Sequence, residues 1–163
     1  MNEQELQQLY AQVVALAQNI PRNERLSKAD ASVTMVSPLC GSQVTVDLAL
    51  NGEHIAQFGQ KVRACTLGAA AASIVAQHIE GASADELREL RKRMREMLKD
   101  DGPPPEGKFE QLAILESARD LISRHGSIML IFDAIGEALD EIQGREKAIV
   151  DGGAKGIPDT VRA

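Results

Sequence analysis

The sequence predicts a two-layer α+β domain: a three-stranded, mainly antiparallel sheet covered by helices. Three observations carry this. Val44, Val46, Leu48 and Leu50 alternate with Gln43, Thr45, Asp47 and Ala49, the period of a half-buried strand. Asn51-Gly52 follows, a dipeptide that favours a two-residue hairpin turn, and a strand-like run returns over 54–63. From Thr66 onward the apolar spacing becomes that of helices.

The elements read in order as follows. Residues 3–18 place Leu6, Leu9, Tyr10, Val13, Val14 and Leu16 or Ala17 near one helical face. Asn19-Ile20-Pro21 ends that helix, because a residue before proline avoids the α region. A charged loop over 20–30 leads to a short strand, 31–36. In the return strand 54–63, Ala56, Phe58 and Val62 are expected on one side. The alanine-rich run TLGAAAASIVAQHI is helical and ends at Gly81. Ser83 with Glu86 three positions later forms a capping box. The helix it starts carries the stripe Leu87, Leu90, Met94, Met97, Leu98 and ends in the loop DDGPPPEG. Residues 109–122 read as helical, SRHG (123–126) as a break, and 127–142 as a final amphipathic helix with Ser127 near its start. Residues 1–142 are thus one domain, and 143–163, rich in glycine and charge, are expected to form a flexible tail.

Composition narrows the function. The chain has 163 residues and is 44% apolar, enough for a core without staples. Aromatics are 2% with no Trp, so platforms for base stacking are scarce. The formal net charge of −6 argues against general nucleic-acid binding, where neutralised phosphates supply most of the affinity. No stretch approaches the roughly 18 uncharged apolar residues of a membrane span, and no secretory leader is visible. A cytoplasmic chain is expected, with its two cysteines as reduced thiols.

Those cysteines, Cys40 and Cys65, are the leading candidates for chemistry. A hairpin returns the chain to its starting end, so the segment before residue 43 and the one after 63 should lie close together. That brings Cys40 and Cys65 near each other. Cys65 precedes a helix, where unpaired N–H groups favour an anion such as a thiolate. Neighbouring thiolates could ligate a soft metal or accept sulfur. The alternative is that both are small buried hydrophobes, as free cysteines often are. No CxxC pair supports a zinc finger.

Leu9-Tyr10, Pro21-Arg22-Asn23, Pro38-Leu39-Cys40-Gly41, the hairpin, Ala64-Cys65 and Gly81-Ala82-Ser83 come in an order and spacing that resemble the U-type iron–sulfur cluster assembly scaffolds, the NifU amino-terminal-like family. The resemblance runs from residue 5 to about 140, and the length of the segment before SRHGSIML is similar to the SufU-like branch. It implies a SufE/NifU-like fold. It also implies binding of zinc, iron or a nascent iron–sulfur cluster through three cysteines and an aspartate. Here Cys40 and Cys65 keep two of those positions. Ser42 stands at the aspartate and Ser127 at the third cysteine, so the ligand set is degenerate. A neutral hydroxyl is a poor ligand beside a thiolate. Three accounts remain. Two protomers could share a cluster through four thiolates, implying a homodimer. His125 could substitute as a ligand. Or cluster assembly could be lost, leaving a metal-free module that binds a partner.

Other residues read more plainly. RKRMR (91–95) is interleaved with Glu89 and Glu96, so a solvated face with a Glu89–Arg93 pair is expected rather than a nucleic-acid patch. His54 and His78 read as surface groups, Asp47 and Asp133 as solvent-facing. Arg22 and Arg124 match family arginines and could anchor loops or provide a positive setting for thiolates. The function implied is a non-enzymatic scaffold or sulfur acceptor, with Cys40 and Cys65 as its site and no catalytic residue. A cysteine desulfurase would be the donor and cluster-recipient proteins the acceptors. A sulfurtransferase that moves persulfide without holding iron is a third reading.

Overall fold

The computed structural model describes residues 2–152. Helix α1 spans Glu3–Gln18, followed by strands β1 (Ala31–Val36), β2 (Gln43–Asn51) and β3 (His54–Arg63). Helices α2 (Thr66–His78) and α3 (Ala84–Lys99) come next, then 3₁₀ turns over Gly107–Asp120 and Ile122–Arg124, and finally α4 (His125–Gly152). The strands form an antiparallel sheet in the order β1-β2-β3, with helices packed on it, so the fold is the α+β arrangement the sequence predicts.

The core lies between the sheet and the helices. Val33, Val44, Val46, Leu48, Ile55 and Phe58 belong to the same buried cluster as Ile128, Ile131, Ile135 and Leu139 of α4 and Leu87, Leu90, Met94 and Met97 of α3. Helix α2 is buried from Gly68 through Ala76, as an apolar helix with no polar face must be. Its alanines let neighbouring backbones come close. The Ser83–Glu86 capping box forms as expected at the start of α3.

Several local expectations change. Helix α1 packs on α2 but buries only Val13; Leu6 and Tyr10 remain 55% and 65% exposed. In β3, Ala49 pairs with Gln57 while Leu50 pairs with Ile55, so Ala56 is an extra, bulged residue. The bulge turns Ile55 inward beside Phe58 and leaves Ala56 exposed. Strand β2 is central and buried on both faces, so Asp47 is fully buried rather than solvent-facing. Asp133 is partly buried and takes Arg91 at 2.8 Å and Arg95 at 3.2 Å. Arg91 and Arg95 thus brace α3 against α4, and no Glu89–Arg93 ion pair forms among the described residues. His78 packs edge-on against Phe109, 6.3 Å between ring centres.

Residues 107–120 wind as 3₁₀ turns with a break at Phe109, not as a regular α-helix. The Arg119 guanidinium reaches back to the Met97 and Gly102 carbonyls at 2.7 and 2.6 Å, tying this segment to the end of α3. Helix α4 begins at His125, so SRHG is not a break: 122–124 is a 3₁₀ turn feeding directly into α4. The helix also continues past 142 to Gly152; the rest of the expected tail, 153–163, lies outside the described residues.

Candidate functional site

Three strand ends and two helix starts meet at one end of the sheet. The β1–β2 pairing closes at Val36 with Gln43, and the β2–β3 pairing at Gln43 with Arg63. Beyond β1, the chain makes a tight turn: the Ser37 N–H donates to the Ser42 carbonyl at 2.8 Å and the Gly41 N–H to the Ser37 carbonyl at 2.9 Å. Gly41 sits at φ 72, a conformation that favours glycine, and it places Cys40 on the outer side of the turn. Beyond β3, Cys65 is the cap residue of α2, in extended conformation.

Cys40, Ser42, Cys65 and Ser127 converge here. The Cys65 thiol donates to the Ser127 Oγ at 3.2 Å, and the Ser127 hydroxyl donates to the Ser42 Oγ at 3.0 Å. Ser42 Oγ also accepts the Cys65 N–H at 3.4 Å and lies 3.0 Å from the Cys40 Sγ. A hydroxyl has one hydrogen and two acceptor lone pairs. With both acceptor sites of Ser42 taken, its hydrogen is left for the Cys40 sulfur. Hydrogen bonds from the Ser42 hydroxyl and the Ser42 N–H, then from the Ser37 hydroxyl, favour the thiolate. They hold the Cys40 thiol down from 9.0 to about 7. Cys40 is exposed, Cys65 half-buried, and both serines are buried. Neither cysteine is thus a simple buried hydrophobe.

Two glycines, not singled out in the sequence, make this convergence possible. A Cβ on Gly68 of α2 would stand 2.4 Å from the Ser127 Oγ and 2.9 Å from the Ser127 carbonyl oxygen. A Cβ on Gly126 would stand 3.2 Å from the Ser37 Oγ. Glycine at these points lets α2, α4 and the 37–42 turn approach closely enough to share hydrogen bonds. The signal was a lone glycine inside an otherwise helical apolar run, which often marks close packing.

The remaining candidates fall elsewhere. His125 is buried with its Nε2 3.0 Å from both the Ala118 and Arg119 carbonyls. Only the protonated tautomer at Nε2 can satisfy carbonyl oxygens, so that nitrogen has no lone pair to offer a metal. Arg22 anchors its loop, with Nε on the Ala76 carbonyl at 3.2 Å and an ion pair to Glu80 at 2.8 Å. Arg124 is exposed. Among the described residues, no group of three or more His, Cys, Asp or Glu is placed to hold a metal ion. Two thiols and two hydroxyls are what converge at this point among the described residues. Flanking it in the chain are exposed apolar side chains: Val36, Leu39 (78% exposed), Leu121 and Ile122 (76%).

The sequence profile of the NifU-like N-terminal domain matches residues 9–119. A crystal structure of a nitrogen-fixing NifU-like protein (N-terminal) from Brucella abortus superposes with a TM-score of 0.83 at 39% identity, over 86% of this chain and 98% of that one. A candidate iron–sulfur cluster assembly scaffold protein for the SUF system, from Fervidobacterium islandicum, shares the fold at a TM-score of 0.72. It is 16% identical, over 81% of this chain and 97% of its own. No curated protein is similar enough to count as a match. No helix among the described residues is long and apolar enough to cross a membrane.

Proposed function

The chain belongs to the NifU-like N-terminal domain family, and on that premise we propose that Cys40 and Cys65 accept sulfur and iron during iron–sulfur cluster assembly. One observation carries the reading: the two thiols belong to a single hydrogen-bonded cluster at an open end of the sheet. Cys40 is the entry point. It is exposed, and the Ser42 hydroxyl stabilises its thiolate, the form that attacks a donor's persulfide. Cys65 is the inner ligand, held between strand and helix. His125 is given no ligand role through Nε2 in this reading, because that nitrogen is committed to the Ala118 and Arg119 carbonyls. The cluster is cargo, and among the described residues this site offers two thiols as strong ligands for it. The exposed Val36, Leu39, Leu121 and Ile122 offer an apolar rim on which a sulfur-donating desulfurase and later a recipient protein could seat.

The test is anaerobic supply of ferrous iron and sulfide to the purified chain. Charge-transfer absorption, with iron and acid-labile sulfide in the desalted protein and loss of both in Cys40→Ser and Cys65→Ser, supports the reading. A colourless, iron-free product sinks it. A second reading is favoured by one feature. Ser42 and Ser127 hydrogen-bond to each other where two ligands would stand, which makes a stable cluster without metal. In that reading the chain is a metal-free module that binds a partner. It predicts the colourless outcome together with a retained fold.

A further inference from the structure

Cys40 and Cys65 are the only thiols of the chain. The two side chains between them, Ser42 and Ser127, are hydroxyls that stay protonated at neutral pH and are poor nucleophiles. A sulfur atom delivered to the outer thiol therefore meets one nucleophile inside the cluster, the inner thiol. The backbone permits their approach. Gln43 pairs with Arg63, so the chains stand about 4.8 Å apart where they enter the site. The Cys65 N–H already donates to Ser42. Gly41, next to Cys40, has no atom within 4 Å of where a side chain would begin, so the turn can adjust without a clash. The Cys40 Sγ is held 3.0 Å from the same Ser42 Oγ that accepts the Cys65 N–H, so the cluster keeps this sulfur on the Cys65 side, and exposure leaves an added outer sulfur solvent to extend into.

Resting on the sulfur-acceptor part of the function proposed above, we propose that Cys65 resolves a persulfide on Cys40, releasing sulfide and leaving a Cys40–Cys65 disulfide. The Cys65 thiolate attacks the Cys40 Sγ. A bond forms between the two cysteine sulfurs, and the bond from Cys40 Sγ to the outer sulfur breaks. The outer sulfur leaves as hydrosulfide, keeping its proton and taking the bonding pair. It is reduced by two electrons, and the two cysteine sulfurs are together oxidised by two, so no further oxidant or reductant enters. The proton lost by Cys65 goes to solvent. With Ser127 where a third thiol would stand, nothing in the cluster reopens the disulfide, and an external thiol must do so. The site would then supply inorganic sulfide once per reduction.

The experiment loads the full chain anaerobically with inorganic polysulfide, desalts it, and follows released sulfide and intact mass. The wild type is expected to release sulfide equal to the sulfur it took up and to end two hydrogens lighter than the dithiol. Cys65→Ser and Cys65→Ala should keep the added sulfur on Cys40 about tenfold longer or more. The proposal is overturned if the wild type retains its sulfur as long as these variants, or if peptide mapping finds the sulfur moved to Cys65. The two failures are separable. A Cys65 variant that is folded but takes up no sulfur ends the acceptor reading as well. One that takes it up, beside a wild type that merely keeps it, ends only the resolving step.

Discussion

The Asp47 cluster and the thiol cluster are built on the same strand and have opposite fates. Asp47 lies in the middle of β2, with its side chain fully buried. Its carboxylate accepts two bonds from Arg25 at 2.7 and 2.9 Å, one from the Leu26 N–H at 2.9 Å and one from the Ser32 hydroxyl at 2.6 Å. Burial alone pushes this carboxyl up, but Arg25, Ser32 and the Leu26 N–H outweigh it and hold the group below its usual value. At the end of the same strand, Ser42 and Ser127 are buried and partnered, but Cys40 reaches solvent. A buried charge must be fully paired, which leaves it no capacity for outside chemistry. The thiol cluster instead keeps its hydroxyls buried and presents the Cys40 sulfur, its thiol lowered to about 7, at the surface. Full pairing marks the first as structural, and the exposed sulfur leaves the second open to solvent.

Breaking the sealed cluster should have the largest effect. Arg25→Ala leaves a buried carboxylate without its cation and should cost about 3 kcal/mol, read from the urea midpoint. The same cluster sets an acid limb. The folded-state value lies below the unfolded one of about 3.9, so the stabilisation is complete above that pH and drains away as pH falls through the folded value. Asp47→Asn should flatten this limb; an unchanged acid limb would mean the carboxylate is not the group responsible. Next comes the joint between the helices. Gly68→Ala forces a methyl into Ser127 and should cost about 2 kcal/mol while disturbing the thiols. A variant as stable as wild type would show that α4 can yield there. Smallest in stability is Ser42→Ala, about 1 kcal/mol. Its sharper signature is chemical: the pH midpoint of Cys40 alkylation, expected near 7, should rise. An unmoved midpoint would remove Ser42 from the role given to it.

Much of this was legible in the chain. The hairpin, the capping box at Ser83 and the alanine-rich helix are local patterns with local causes, and each formed where the sequence placed it, the hairpin's turn falling one residue later at Gly52-Glu53. The meeting of Cys40 with Cys65 followed from the hairpin alone. Ser127 was placed beside them by resemblance, not by periodicity. What misled was position within the fold. Asp47 alternates like a surface residue, yet the loop that buries it comes from residues 20–30, whose path no local pattern encodes. Ala56 had the right parity, and a bulge cancelled it. His125 fell in a segment that read as a break, and the 3₁₀ segment before it brought two carbonyls to its Nε2.

The sequence by itself determined the three strands and helices α1 to α3, because apolar period, turn dipeptides and caps act within a few residues. It also determined that two sulfurs arrive at one end of the sheet, since an antiparallel return leaves little choice. Only the tertiary structure decided which thiol faces water, which polar side chains are sealed, and that two hydroxyls join the sulfurs into one hydrogen-bonded cluster. Those outcomes depend on how closely backbones from distant parts of the chain approach, at Gly68 and Gly126 above all, and that distance is set by packing among all the layers at once.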